Sequence, residues 1–285
     1  MAVTKITDLS SLFSLIYEDA LFVMRDNNLM TQLVTIMNGR GYADRKIGIW
    51  NTGEILEVGD GVDFTTNRKF SESLKATFSP TEKMGQFIVT DGMVETAEDR
   101  TSTRTLAARE LGMAGAQKVD VDLLAVFDDF ANNKGSANNA MTLGLLSAAH
   151  TAIRRDNARG TAYGVLEAAH WHDIWGGLAN PAATYTFQGD VANQALRDFY
   201  RGEPLAGLRL FVTNNIEIDA DDDALSGVFT QDALGLDVRK AANFEEERDA
   251  SLRGWEINFH MGYAVGTIRD EHGCKIIADA TEPAS

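Results

Sequence analysis

The sequence is short of the residues that build stapled or metal-laced folds. It has a single cysteine, Cys274, which excludes an intrachain disulfide and a cysteine zinc cluster and gives no reason to invoke an oxidising compartment. Four prolines stand against 25 glycines, so bends are made by glycine. Basic residues are outnumbered, 26 Lys and Arg against 42 Asp and Glu, for a formal net charge of −16. That balance works against gripping a phosphate backbone, which takes Lys and Arg to displace counterions, and against an anionic membrane surface. Long apolar runs are missing too: no window approaches the roughly 20 apolar residues of a membrane helix. The N-terminal stretch is not a secretory signal, because Asp8, Glu18 and Asp19 interrupt its apolar residues and no small-residue cleavage site follows. What remains is ordinary globular composition, 44% hydrophobic and 24% charged. It reads as a soluble chain, intracellular when made, with room for one large domain or two modest ones.

Chemical signatures are equally scarce. There is no GxxxxGK[ST] phosphate loop, no glycine fingerprint after a strand, no GxSxG and no HExxH. Gly39-Arg40-Gly41 and Gly59-Asp60-Gly61 are too short for phosphate binding and are explained by turns.

The most organised stretch is 101–131. Leu106, Leu111, Ala114, Val119, Leu123, Val126, Phe127 and Phe130 recur near a helical period, with polar residues in the gaps. Thr101, Ser102 and Thr103 offer caps, and Asn132 to Gly135 a stop. A continuous helix here is about 45 Å long, a spine for other parts. Gly112 and Gly115 each cost such a helix about 1 kcal/mol relative to Ala, so a kink or a close approach is expected there.

Around this spine the chain reads in order. An arm over 4–38 carries a short amphipathic stripe of Leu9, Leu12, Phe13, Ile16, Ala20 and Val23. Alternation predicts strands over 45–50, 70–78 and 86–94, a β excursion with few apolar residues to spare. A two-stranded ribbon is marginal in water by itself, so it needs a partner surface. A second helix follows over 140–159, close to the first because the linker is short. Then come a strand over 163–168, a short helix over 170–179, a helix over 190–200 and a strand over 208–213. A hairpin is predicted from 227–230 and 234–239, then a long strand over 254–269 and a last one over 275–278.

The candidates for chemistry are few. His170 and His172 would face one side if they lay on a strand, with Glu167 or Asp173 near, which is the best metal candidate, though two ligands make a thin set. Asp219, Asp221, Asp222 and Asp223 fail the calcium-loop pattern, lacking the central glycine and the closing glutamate, and read as a solvated loop. Glu245, Glu246 and Glu247 read the same way. His150 sits on an apolar helix face and suits a core or interface position, and His260 in the last long strand is given no chemistry. Lys69, Lys75 and Lys83 lie in the β excursion, on solvated strand positions or at contacts between subunits. No catalytic residue, cofactor site or metal site is assigned.

The order of parts carries a resemblance. The run LKATFSPTEKMGQFIVTDGMVET over 74–96 resembles the extended-loop return strand that leads into the spine helix of the major capsid proteins of tailed double-stranded DNA phages, the Hong Kong 97-like fold. YGVLEAAHWHDIW over 163–175 resembles the opening of their axial lobe. GLRLFVTNNI over 207–216 and GWEINFHMGYAVGTI over 254–268 resemble a later lobe strand and the closing peripheral strand. The likeness spans nearly the whole chain by order of parts.

That resemblance implies an α+β fold with an N-terminal arm over 1–44, an extended β loop over 45–97, a peripheral domain over 98–159 and 254–285, and an axial domain over 160–253. It implies a structural protein, not an enzyme, that assembles as hexamers and pentamers into an icosahedral shell enclosing phage DNA without reading its sequence. The implied partners are many copies of itself, a portal, a decoration protein in some members and no membrane. Met1 stands almost at the arm, so a separate scaffolding protein is expected. The implied location is the virion, after assembly in the host cytoplasm. The Lys and Asn that cross-link some members cannot be matched here. Two rival readings remain: an encapsulin, the cellular compartment with the same fold, and a metal-dependent enzyme using His170 and His172.

Overall fold

The computed structural model describes residues 28–50, 72–96, 100–179 and 207–282, together with Ile55, 57–61 and Leu205. The expected stripe over 9–23 and the helix expected over 190–200 lie outside them. The described strands form a four-stranded, a five-stranded and a two-stranded sheet.

The four-stranded sheet is built on the long C-terminal strand. Strands β1 (Thr35–Asn38), β4 (Thr81–Thr90), β9 (Leu234–Asp249) and β10 (Gly254–Thr267) lie in the order β1-β9-β10-β4. β10 pairs antiparallel with both neighbours, and β1 pairs parallel with β9. The strand expected over 86–94 begins five residues earlier and stops at Thr90. Asp91–Thr96 is a short helix, α1. The Thr90 hydroxyl accepts from the Met93 amide, and Arg248 holds the Asp91 carboxylate with two hydrogen bonds of 2.7 and 2.8 Å. A capping hydroxyl and an acid in the first turn outweigh the alternation of DGMV.

Helix α2 (Arg100–Ala125) crosses one face of this sheet. Its 26 residues make a rod of about 39 Å at 1.5 Å per residue. Leu111, Val119, Leu123 and Leu124 are buried in one core with Ile257, Phe259, Met261 and Tyr263 of β10. Each such side chain contributes on the order of 1.5–3 kcal/mol by leaving water. The close approach expected at the helical glycines is found at Gly115, where an added Cβ would lie 2.5 Å from the tip of the Phe259 ring. Phe259 in turn packs on Phe244 of β9, ring centroids 5.0 Å apart. Two turns on, the Tyr263 hydroxyl donates to Asp122 at 2.7 Å.

The helix ends sooner than its periodicity predicts. Val126–Asp129 tightens into a 3-10 turn, and Asn132–Gly135 is strand β5 rather than a stop. Phe127 and Phe130 leave the helical stripe to stack on each other and on Phe229, which draws the chain away from the helix axis. The polar sequence NNKG gives no strand signal, yet it pairs parallel with Cys274–Ile277. Gly135 closes it at φ 76°, where a Cβ would meet the Ile277 carbonyl at 2.3 Å.

The five-stranded sheet runs β5-β11-β8-β6-β7, with β6 (Ala162–Leu166), β7 (Leu208–Val212), β8 (Asp223–Thr230) and β11 (Gly273–Asp279). Helix α3 (Leu143–Arg155) packs on it through Leu146, Ala149 and Ile153, capped by the Thr142 side chain. Helix α4 (Ala168–Ala179) also packs against β11. Thus α3, from the 98–159 segment, rests on β11 and β8, while β9, from the 160–253 segment, pairs with β10.

The hairpin predicted from 227–230 and 234–239 does not form. β8 enters the five-stranded sheet and β9 the four-stranded one, so the turn between them is a crossing from one sheet to the other. The Ala233 amide donates to the Thr230 carbonyl, and the Ala233 carbonyl receives the Ile268 and Arg269 amides. Asp232 accepts from the Thr230 hydroxyl and sits 2.8 Å from His272 Nδ1.

Two predictions follow from these contacts. Gly115→Ala gains about 1 kcal/mol of helix propensity but forces a methyl against the buried Phe259 ring, and overpacking costs about 1–3 kcal/mol. The expected result is a net loss of stability in urea unfolding, relieved in part by Phe259→Leu in the same chain. Burial pulls the Asp232 carboxyl upward, but the hydrogen bonds from Thr230 and His272 outweigh it and leave the group below its ordinary value. Its contribution is therefore present above the unfolded pKa of about 3.9 and lost as pH falls through the lower folded value. Asp232→Asn is expected to flatten the acid limb of the stability curve, read by urea unfolding between about pH 5 and 2.

Candidate functional site

The sequence candidates for chemistry are mostly structural in this fold. His170 and His172 lie on helix α4, not on a strand, and residues two apart on a helix face different ways. His170 is buried, its Nδ1 2.7 Å from the Ser226 hydroxyl and its Nε2 3.1 Å from the Ala278 carbonyl. Both ring nitrogens are used in joining α4 to β8 and β11. His172 is half exposed, 4.0 Å from Asp173. The other Asp173 oxygen accepts from the Met141 amide, and Glu167 accepts from the Ala169 amide at the start of α4. The expected pair is not brought together, and among the described residues no three His, Cys, Asp or Glu side chains are placed to hold a metal ion.

The acidic run is a solvated turn, with Asp219, Asp221 and Asp222 exposed as expected and only Asp223 turned inward. Asp219 Oδ1 accepts from the amides of Asp221 and Asp223, both at 2.9 Å, and Asp222 takes φ 60°. Asp223 is buried and accepts from the Asn138 amide at 2.7 Å, opening β8. Short acidic side chains are the ones that bond their own backbone and tolerate a left-handed residue. Glu245 is exposed on β9 as expected, 3.6 Å from His260, which is itself buried. His150 is half buried and bonds Arg154, whose guanidinium caps the end of α3 through the Ala158 and Gly160 carbonyls. Cys274 is buried, and burial pushes its thiol up to about 11, which leaves it a core residue and not a nucleophile. The side chains of Lys69 and Lys75 lie outside the described residues, and Lys83 is half buried on β4.

Two buried aspartates that sequence reading passed over do more to shape the molecule. Asp120, on the inner side of α2, accepts from the amides of Leu29 and Met30 at 3.1 and 3.0 Å. Burial raises its carboxyl against the opposing pull of those two bonds. It fixes the point at which the N-terminal segment meets the spine. Asp237, fully buried on β9, binds Arg239 at 2.7 Å and Arg45 at 3.3 Å. Arg45 also donates to the Asn38 carbonyl, and Arg239 to those of Arg40 and Gly41. Their only sequence signal is an acid inside an otherwise apolar stretch.

Arg45 is the first residue of strand β2 (Arg45–Trp50), which pairs antiparallel with β3 (Glu72–Phe78). Asp237 therefore roots this ribbon on the sheet. Phe78, Ala76 and Ala264 close a small apolar cluster at its base. Beyond the base, Ile55 is 99% exposed.

Large apolar side chains are also left bare on the body. On β4, the outer strand of the four-stranded sheet, Met84 is 66% and Ile88 45% exposed, beside His260 and Glu256 of β10 on the face away from α2. Phe87 emerges on the other face. On α2, Leu106 and Met113 stand two turns apart and exposed. The geometry thus offers no convergent acid, base and nucleophile among the described residues. It offers a rooted ribbon, a strand edge with no neighbour among the described strands, and bare apolar side chains, the materials of a contact surface.

No protein-family model matches the sequence, and no curated protein does. Solved structures do. The capsid chain of cyanophage P-SCSP1u superposes with a TM-score of 0.66 at 13% identity, over 89% of each chain. A chain of Mycobacterium phage Che8 gives 0.67 at 15% identity, over 87% of this chain and 90% of that one. This chain has the Hong Kong 97-like fold. A virus-like particle from Pyrococcus furiosus superposes more loosely, with a TM-score of 0.57 at 13% identity over 91% and 96% of the two chains.

The Asp237 root predicts a specific failure. Asp237→Ala leaves two guanidinium groups without their shared carboxylate, and breaking a buried pair costs about 3–5 kcal/mol. Hydrogen exchange is expected to rise first in β2 and β3, ahead of β10.

Proposed function

We propose that this chain is a structural shell protein, the major capsid protein of a tailed double-stranded DNA phage. The observation that carries the reading is the match to phage capsid chains over 87–89% of this chain and 89–90% of theirs. The bare side chains on β4 and α2 and the rooted ribbon support it, because copies of the same chain would cover what one copy leaves open. The protein acts through assembly, as hexamers and pentamers, rather than through catalysis.

In this reading the arm over 1–44 lies along neighbours and the ribbon within 45–97 reaches over an adjacent subunit. The four-stranded sheet with α2 is the peripheral domain. The five-stranded sheet carries the axial domain, expected over 160–253, with α3 and β11 of the peripheral segments 98–159 and 254–285 packed against or paired within it. A separate scaffolding protein, a portal and a decoration protein are the further partners. The chain resides in the virion after assembly in the host cytoplasm. A net charge of −16 keeps the wall from adhering to DNA, so that packed DNA remains free to leave.

A second reading, a shell around protein cargo, draws on the likeness to the virus-like particle of Pyrococcus furiosus. Nucleic acid and protein assays of particles recovered from the native source separate the two.

The test is assembly itself. The chain, expressed with and without the structural proteins encoded beside it, is expected to form closed particles visible by negative-stain microscopy. Met84→Asp with Ile88→Asp is expected to abolish particles while changing the stability of the single chain by no more than about 0.5 kcal/mol per site, as for surface positions. A monodisperse monomer under all conditions overturns the proposal.

A further inference from the structure

A groove of about 450 Å³ lies where the C-terminal end of α2 meets the five-stranded sheet. Its floor is apolar: Val121, Leu124 and Ala125 from α2, Ile216 from the loop before β8, Leu225 from β8 and Ile277 from β11. Its rim is acidic, with Asp128, Glu217, Asp219 and Asp223. Ile218, 45% exposed, stands beside the rim.

The rim carboxylates are largely committed. Lys275 binds Asp128 at 2.7 Å, Asp219 staples its own turn, and Asp223 holds the Asn138 amide. Few polar atoms are therefore aimed into the groove to orient a small polar ligand. What the groove presents instead is an apolar floor under a negative potential. Hydrogen bonds to amides do not cancel the charges of Asp219 and Asp223, Glu217 adds another, and the end of α2 contributes its partial negative charge.

That combination selects its occupant. The occupant must bring positive charge to the rim, which a chain of net charge −16 has little of. The chain's own N-terminal segment is no better. Residues 1–27 hold Asp8, Glu18, Asp19 and Asp26 against Lys5 and Arg25. We infer that this groove docks an amphipathic helix with basic flanks, presented by a different protein. Its apolar face sits on Leu124, Leu225 and Ile277, and its Lys or Arg side chains face the Glu217 rim. The inference does not rest on the shell reading, because the groove lies within one chain.

The experiment uses the purified full chain and two synthetic peptides of about 15 residues, long enough to fold as helices on binding. One alternates Leu with Lys at helical spacing, and the other has the same Leu pattern with Glu. By calorimetry the Leu/Lys peptide is expected to bind at one site per chain and the Leu/Glu peptide not at all. Ala125→Trp, which fills the groove from an exposed position, and Glu217→Lys are each expected to weaken binding at least about tenfold. Glu110→Lys makes the same charge change elsewhere on α2 and is expected to leave affinity unchanged. The inference is overturned if Ala125→Trp has no effect, if Glu110→Lys weakens binding as much as Glu217→Lys, if the Leu/Glu peptide binds equally well, or if neither peptide binds.

Discussion

The contact between Phe259 and the notch at Gly115 sets the distance between the spine helix and its sheet. A side chain at residue 115 would hold the helix off, and the aromatic ring would no longer fill the layer between them. From that contact the body can be followed outward. Phe259 packs on Phe244, which carries β9, and Tyr263 bonds Asp122, which continues the seam toward the end of α2. The glycine that weakens the isolated helix is the residue that lets it dock. Helix propensity and packing pull in opposite directions at this residue, and packing prevails because the ring is buried on every side.

Two segments join this body, each over a buried carboxylate. Asp120 receives the backbone at Leu29 and Met30, and Asp237 gathers Arg45 and Arg239. A buried charge is expensive unless paired or hydrogen-bonded, so neither root can shift by a residue without stripping its aspartate of the partners it has. This is a demand for one register, which hydrophobic packing alone does not impose. The direction in which the ribbon departs is thus specified within the chain, before any neighbour is met.

Periodicity in the sequence reports which face of an element is buried, and where faces decide the structure it was legible. The strands at 45–50, 208–212 and 254–267 and the bulk of the spine helix were readable for that reason. It does not report what an element pairs with. Asn132–Gly135 is a strand by virtue of Cys274–Ile277, which lie far along the chain. β8 and β9 look like a hairpin because they are adjacent and apolar, yet each is held by a different sheet. The histidines at 170 and 172 would pair only on a strand, and the segment is the helix its sequence predicts. In a helix the same two residues diverge, and His170 turns inward to Ser226 and Ala278. Asp120 and Asp237 were passed over because a lone acid in an apolar stretch is indistinguishable from a solvated one until the fold encloses it. The fold class was thus legible in the order of the parts, while the polar joints, which depend on residues distant in sequence, were not.

The balance of forces on the surface follows from the same economy. Chains that each carry −16 repel one another, so an assembly of them must draw on apolar contact. Met84, Ile88, Leu106 and Met113 are bare in the single chain, and covering apolar area is worth about 25 cal/mol per Å². The ribbon adds a pair of strands that is marginal by itself in water and presents open backbone edges to a neighbour. Repulsion is long-ranged but screened within about 8–10 Å in physiological salt, whereas apolar burial acts only at contact. Association is then weak until subunits sit in register and strong once they do. In the proposed shell, a balance of this kind favours correctly seated subunits over misplaced ones.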